Sequence, residues 1–204
     1  MTIADALLIV AAYFIGSIPF GVIVGRALFG VDPRNVGSGN IGAANALRAM
    51  GMWGAILTLL GDIIKGSVPT ALAVYVLHSA PLAVALVGLA TIIGHNWSIF
   101  LHFEGGKGVA TGLGVLVVLS FWAALAWAVV FLATALISRF ASLSSMLATA
   151  SAPITLFFLR APWPYVAYGV ITLLMVLWRH QANIGRLMAG TEPRIGQKAS
   201  QGAS

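Results

Sequence analysis

The sequence predicts an all-α integral membrane protein, a bundle of seven transmembrane helices with its N-terminus outside and its C-terminus in the cytoplasm. Three observations carry this reading. Of the 204 residues, 60% are hydrophobic and only 8% are charged. The mean hydropathy is +0.99, and the polar residues gather in a few glycine-rich segments between long apolar runs. A soluble domain carries about 25% charged residues, so a water-soluble globule is excluded; disorder, which needs low hydrophobicity, is excluded too. With no cysteine, thiolate chemistry, thiolate metal sites and a disulfide framework are ruled out. Eleven Lys/Arg against five Asp/Glu give +6, which in a membrane protein speaks of topology and anionic ligands rather than nucleic acid.

A spanning helix takes about 20 apolar residues. Runs of that kind lie at 3–25, 53–77, 82–99, 109–138, 143–159 and 164–178. The first is too long for the core of a signal peptide, with Asp5 its only charge and Arg26 behind it, so it is read as a span. The uncharged block 109–138 would be about 45 Å long as one helix, against a hydrocarbon core of about 30 Å; as two helices it gives short ones. Charge decides between them. Lys107 before the block and Arg139 after it both belong to the cytoplasm, which requires two crossings and a turn near Ser120. The spans become 3–25, 53–77, 82–99, 109–119, 121–138, 143–159 and 164–178. Arg26, Arg34, Arg48, Lys107, Arg139, Arg179, Arg186, Arg194 and Lys198 then face the cytoplasm, Lys65 lies within a span and Arg160 faces out. Trp53, Trp97, Trp122, Trp163 and Trp178 fall near span ends, where amphipathic rings settle. Residues 1–196 form one domain, and the small polar tail 197–204 is predicted disordered.

Three polar clusters share the cytoplasmic side. The first, Gly-Ser-Gly-Asn-Ile-Gly-Ala-Ala-Asn-Ala-Leu-Arg over 37–48, frees the backbone to aim N–H groups at one place. Ser38 and Asn40 add side-chain donors, and a helix starting near Ile41 adds its positive dipole end. Arg48 follows Asn45 by three and Ala44 by four, so it shares their helix side and can close over a phosphate. Close packing of small residues is the competing reading. It suits Gly21 and Gly25, but leaves Ser, two Asn and an Arg in one loop unexplained. The second cluster brackets Lys107 with Gly105, Gly106 and Gly108, one mobile cation among exposed N–H groups, the alternative being a topogenic lysine on a turn. Phe100 and Phe103 anchor the loop in the interface, while His95 and His102 read as structural. In the third, Arg179, Asn183 and Arg186 share one helix face and His180 and Asn183 another, so His180 and Asn183 reach one ligand; for the arginines, binding of anionic lipid competes equally. Ser142, Ser144 and Ser145 open a span, where one is expected to cap the helix and another to meet a ligand. Asp62 and Lys65, three apart inside a span, are expected to neutralise each other.

At this point the chain resembles the bacterial acyl-phosphate-dependent glycerol-3-phosphate acyltransferases (PlsY-type). The resemblance rests on Gly-Ser-Ile-Pro-Phe-Gly at 16–21, the 37–48 motif, Gly-Asp-x-x-Lys-Gly at 61–66, and His-Asn-x-x-x-Phe-x-x-Phe-x-Gly-Gly-Lys-Gly-Val-Ala-Thr at 95–111. Ser-Leu-Ser-Ser at 142–145 and Arg-His-x-x-Asn-Ile-x-Arg-Leu-x-x-Gly-x-Glu at 179–192 complete it. It implies a seven-span enzyme of the bacterial inner membrane with its active site toward the cytoplasm. The implied reaction moves a fatty acyl group from acyl phosphate to the 1-hydroxyl of sn-glycerol 3-phosphate, releasing lysophosphatidic acid and inorganic phosphate. By resemblance Ser38, Gly39, Asn40, Gly42 and Asn45 form the acyl-phosphate cradle. Arg48, Lys107, Ser145, His180 and Asn183 contact glycerol phosphate, with Arg48, Lys107, His180 and Asn183 carrying the catalysis. Two positions depart from the family pattern: Ala44 stands where Thr is common, and Gln181 where Lys or Arg is frequent.

An acyl phosphate is an activated anhydride, so the reaction is expected to need no ATP, coenzyme A, metal or other cofactor. Two candidate proton acceptors stand open, His180 and the donor's own phosphate, and the resemblance favours the phosphate. A covalent acyl group on Ser145 is disfavoured because no base stands at helical spacing from it. The oligomeric state is left open, with a monomer compatible. The competing function is a transporter or flippase for a small organic phosphate. Such proteins place their sites near the bilayer midplane on repeated, broken helices, whereas here the clusters sit at one face and no repeat is visible.

Overall fold

The computed structural model describes residues 1–197. Of the tail 197–204 expected to be disordered, Gln197 is described, and Lys198 and the residues after it lie outside the described residues. Among the described residues there is no strand, only an isolated bridge between Ser98 and Glu104.

Helix α1 (Ile3–Ser17) opens in a capping box. Thr2 Oγ1 accepts from the Asp5 N–H at 3.1 Å, and Asp5 Oδ2 accepts from the Thr2 N–H at 2.6 Å. Such a cap stabilises a helix by about 1 kcal/mol. The other Asp5 oxygen accepts from Ser79 Oγ at 2.5 Å, tying this end of α1 to the turn before α4. Pro19 has no N–H to donate and its ring crowds the preceding turn, so the first apolar run breaks there; α2 (Phe20–Leu28) leaves at 41°. The polar segment after α2 passes through a 3-10 turn at Pro33–Asn35 into α3 (Ala43–Ala71). That helix kinks at Gly51, whose φ of 72° and ψ of −167° are open only to a residue without Cβ. The kink divides the polar segment from the apolar one, at the place where the sequence starts its second span.

The π-helical turn Leu72–Val76 prolongs α3, and α4 (Pro81–Asn96) follows. Next come α5 (Val109–Leu119) and α6 (Phe121–Ser138). Ser120 separates them in an extended conformation, φ −163°, and its Oγ accepts from the Ala123 N–H at 3.3 Å. The uncharged block is thus two helices, broken where the charge argument places its turn. The remaining helices are α7 (Ala141–Phe158), α8 (Trp163–Arg179) and the short α9 (Gln181–Met188).

Packing pairs α1 with α4, α3 with α2 and α5, α6 with α7, and α8 with α4 and α7. Between α1 and α4 the backbones nearly touch: a methyl on Gly94 would overlap the Tyr13 carbonyl. Close approach of this kind holds membrane helices together where burial from water supplies no drive. The core runs through Ile92, Val115 and Tyr168, and through Leu116, Trp127 and Leu156. Outside it the surface is apolar, with Leu7, Leu136, Ile137 and Phe158 among the exposed side chains. A belt of that composition belongs against lipid. By length and apolarity, Ala43–Val76, Phe121–Ser138 and Ala141–Phe158 each suffice to cross a bilayer, and the bent pair α1–α2 counts as a fourth. Helices α4, α5 and α8 are apolar but shorter.

Candidate active site

Three loops meet at one end of the helices. In the first, Asp32 pairs with Arg26 at 2.8 Å and Arg34 at 2.6 Å. Arg34 foremost, then Arg26, holds the Asp32 carboxyl well below the usual range despite partial burial. The loop is shaped from within by Asn45, which is 2% exposed. Asn45 Oδ1 accepts from the Ser38 N–H at 3.0 Å, while Nδ2 donates toward the carbonyls of Pro33, Val36 and Asn40 at 2.8, 3.0 and 2.8 Å. Asn40 Oδ1 in turn accepts from the Gly42 N–H at 2.9 Å. With the Asn40 and Asn45 side chains so engaged, what the loop presents is the exposed Ser38 and Gly39 and the N–H groups of Ala43 and Ala44 that begin α3. Arg48 lies alongside, its Cδ within 3.5 Å of where a Gly37 Cβ would stand.

The second loop connects α4 to α5. It turns through His102 and Phe103 at φ 55° and 63°, closed by bonds between Ser98 and residues 103 and 104. His102 is exposed on this turn. Gly105 and Gly106 are clamped from α8: Arg179 Nε donates to the Gly106 carbonyl at 2.9 Å and Nη2 to the Gly105 carbonyl at 2.8 Å. Lys107, thus placed, donates from Nζ to Asn183 Oδ1. Burial brings the Lys107 ammonium down to about 8; Glu192 opposes that fall, and Arg186, Arg179 and Arg48 add to it. Val22 of α2, Ile41 of the first loop and Leu101 of the second pack in one buried cluster, and the bond from Lys107 to Asn183 joins the second loop to the third, so the three clusters converge.

The third loop is organised by Glu192. Its Oε1 accepts from Ser142 Oγ and Asn183 Nδ2, each at 2.6 Å, and its Oε2 accepts from Arg186 Nε at 2.8 Å. Burial alone would raise the Glu192 pKa, yet the bonds from Ser142, Asn183 and Arg186 outweigh it and hold the group below its ordinary value. Because Asn183 spends its NH₂ on Glu192, its carbonyl oxygen is turned to Lys107. His180 is buried, with Nδ1 2.8 Å from the Val176 carbonyl. A carbonyl can only accept, so Nδ1 carries the proton and Nε2 is the acceptor of the neutral ring. Burial first, then Lys107, lowers the His180 pKa to about 4.

Lys107, Asn183, Arg186 and Glu192 form one connected network, with His180 and Arg48 beside it. Asn45 departs from its expected place in the cradle, since its amide shapes the loop rather than facing the opening. None of the serines caps α7, whose N-cap is Phe140. The serine in the network is Ser142, while Ser145 Oγ donates to its own helix at the Ala141 carbonyl, 2.8 Å away. Arg179, weighed from sequence as a lipid contact, is the clamp of the second loop. Glu192 was not singled out among the site residues; as a lone acid beside Arg186 and Arg194, it had a signal in the sequence.

The chain resembles known proteins along almost its whole length. The family profile for glycerol-3-phosphate acyltransferase matches residues 6–190. The glycerol-3-phosphate acyltransferase of Rubrobacter xylanophilus is 44% identical over 198 residues, covering 97% of this chain and 98% of its own. That of Laribacter hongkongensis is 45% identical over 193 residues, with 93% and 96% covered. Two crystal structures of PlsY, described as an integral membrane glycerol 3-phosphate acyltransferase, superpose closely. The glycerol 3-phosphate form has a TM-score of 0.89 at 39% identity, covering 95% of this chain and 96% of that one; the lysophosphatidic acid form has a TM-score of 0.87 at 37% identity, with the same coverage. This protein is accordingly an integral membrane protein, and the chain belongs to the glycerol-3-phosphate acyltransferase family.

Proposed function

We propose that the protein transfers a fatty acyl group from an acyl phosphate to the 1-hydroxyl of sn-glycerol 3-phosphate, giving lysophosphatidic acid and inorganic phosphate. The observation that carries this reading is the meeting of Lys107, Asn183, Glu192 and Arg186 with the loop 37–42 and Arg48, in a chain of this family. Ser38, Gly39 and the N–H groups that begin α3 hold the acyl phosphate, Asn40, Gly42 and Asn45 keeping that loop in shape. Arg48, Lys107, Asn183, His180 and Ser145 receive glycerol 3-phosphate. Ser145 does so by turning its hydroxyl from the Ala141 carbonyl to the phosphate.

The glycerol oxygen attacks the acyl carbon, the carbon–oxygen bond to phosphate breaks, and the hydroxyl proton passes to the departing phosphate. Cations at that phosphate and N–H donors at the tetrahedral oxyanion stabilise charge as it develops. His180 Nε2 accepts a hydrogen bond from a glycerol hydroxyl and orients it. Held near 4, it is a weaker base than a phosphate dianion, whose second pKa is about 6, so the donor's phosphate takes the proton. An acyl phosphate is already activated, and the step asks for neither ATP nor coenzyme A.

We count the bent pair α1–α2 as one crossing and the apolar helices α3 to α8 as six more, α4, α5 and α8 among them being short. With the N-terminus outside, the three loops face the cytoplasm of the bacterial inner membrane, and residues 1–196 act as a single domain. Phosphate release from palmitoyl phosphate by the purified protein is expected only when glycerol 3-phosphate is added. A transporter gives none, and release independent of glycerol 3-phosphate refutes the transfer. Within it, Lys107→Ala and Arg48→Ala each lower turnover at least tenfold; near-normal turnover in either removes that residue from the phosphate clamp.

A further inference from the structure

Two buried charges and a buried histidine take no part in the chemistry above. Asp62 and Lys65 on α3 are each 2% exposed, and His95 on α4 is 3% exposed. Lys65 Nζ stands 2.8 Å from Asp62 Oδ1, and His95 Nδ1 stands 3.6 Å from the same oxygen. An ion pair one turn apart neutralises itself and needs no further partner. This one reaches outward in two directions.

Toward the first loop, Lys65 Nζ donates to the Ile18 carbonyl at 2.8 Å. Ile18 is the residue before Pro19, where the first span bends. The ammonium also lies 5.8 Å from the centre of the Phe20 ring, at the start of α2. Helix α2, held at this point, presses Gly21 against the Ile41 carbonyl so closely that a methyl there would overlap it. Ile41 adjoins Asn40 in the loop assigned to acyl phosphate.

Toward the second loop, the His95 carbonyl accepts from the Gly106 N–H at 3.0 Å. The His95 ring lies flush against Gly106, where a methyl would overlap Nε2. Gly106 precedes Lys107. A further strap, Ser98 Oγ to the Ser17 carbonyl at 2.6 Å, joins this loop to the end of α1. Each loop has its own internal bonds, so each keeps its shape alone. Beside that strap, the Arg179 clamp and the packing of Ile41 with Val22 and Leu101, Asp62, Lys65 and His95 form the polar link between the two loops.

We propose that this buried cluster is a shared mount for the two phosphate-holding loops, and that its three residues are positioning residues for acyl transfer. The proposal rests on the loop assignments made under Proposed function. By fixing α2 at its bend and the Gly106 backbone at the end of α4, the cluster sets the separation of the two phosphates. That separation is the distance between the attacking hydroxyl and the acyl carbon. A misplacement of about 1 Å costs on the order of a hundredfold in rate, while each phosphate still binds its own loop. Charge suits the task because a charge-assisted hydrogen bond such as Lys65 to Asp62 at 2.8 Å is among the strong ones, and ionisable residues inside a membrane are functional by default.

The test separates placement from binding. The double variant Asp62→Asn/Lys65→Met removes both charges and leaves no unpaired ion. His95→Gln leaves the ion pair intact. Phosphate release from palmitoyl phosphate is measured with each substrate varied, alongside the thermal midpoint of the protein in detergent. In both variants kcat falls at least tenfold, while both KM values stay within threefold of the parent. Lys65→Arg, which keeps a cation and a donor toward Ile18, recovers part of the lost kcat. The proposal is overturned if either folded variant keeps kcat within threefold, or if the loss sits in KM. Should the double variant not fold, His95→Gln decides by the same criteria. Failure of the loop assignments looks different: Lys107→Ala and Ser38→Ala would then behave as the parent protein.

Discussion

Glu192→Gln isolates what one carboxylate does for the site. The substituted amide keeps one oxygen, which still accepts from Ser142 Oγ and Asn183 Nδ2. Its NH₂ then faces Arg186, donor against donor, where the acid accepted at 2.8 Å. A hydrogen bond to a charged group contributes about 1.5–3 kcal/mol. Because the Arg186 side chain is 38% exposed, solvent screening favours the low end. About 1.5 kcal/mol corresponds to roughly a tenfold loss in kcat/KM. A second effect has a definite sign. Glu192 raises the Lys107 pKa against the burial that brings it to about 8; neutralising Glu192 therefore lowers it further. Lys107 must be protonated to hold phosphate, so activity is lost as pH rises through that pKa. The alkaline limb of the kcat/KM profile should lie near pH 8 in the parent and at lower pH in the variant. Steady-state rates of palmitoyl phosphate consumption from pH 6 to 9.5 measure both effects. A variant with the parent's alkaline limb and a rate within twofold would refute the role given to Glu192.

Asn45→Asp leaves the carbonyls of Pro33, Val36 and Asn40 facing an oxygen in place of a donor; it should raise the KM for acyl phosphate at least tenfold and lower the thermal midpoint. Ser145→Ala exchanges a bond to the Ala141 carbonyl for nothing and removes a bond to phosphate, a net loss of about 1 kcal/mol; the KM for glycerol 3-phosphate should rise about fivefold, and an unchanged KM removes Ser145 from the site. His180 is held neutral, its folded pKa near 4 lying below the ordinary 6.5. The stability this lends is present above pH 6.5 and is lost as pH falls toward 4, amounting to at most about 3 kcal/mol. Thermal unfolding across that window should show His180→Gln losing less on acidification than the parent; equal losses contradict a neutral buried ring.

Much of this was legible in the chain. The apolar runs, the break near Ser120 and the gathering of Arg48, Lys107, His180 and Asn183 at one end follow from hydropathy, charge placement and helical spacing. Those are local properties or sums over short windows. The bend at Pro19 is signalled by the proline alone, because the run 3–25 carries no charge after Asp5. The kink at Gly51 lies among residues with no turn signal beyond one glycine, and only its backbone angles declare it.

What the sequence determined by itself is the solvent and the chemistry. Sixty per cent hydrophobic residues demand lipid, and basic, glycine-rich loops demand anions. What the tertiary structure decided is which polar atom faces which. Asn45 and Asn183 are the same residue type in similar motifs, yet one spends its amide on loop carbonyls and the other holds Lys107. Ser142 and Ser145 stand three apart, yet the first bonds Glu192 and the second its own helix. Lys65 reaches past its partner Asp62 to a carbonyl 47 residues away. Such partnerships depend on distances between elements remote in sequence. The reason is physical: hydrogen bonds are short-ranged and directional, so composition brings polar groups to one end of the molecule, and only packing assigns their partners.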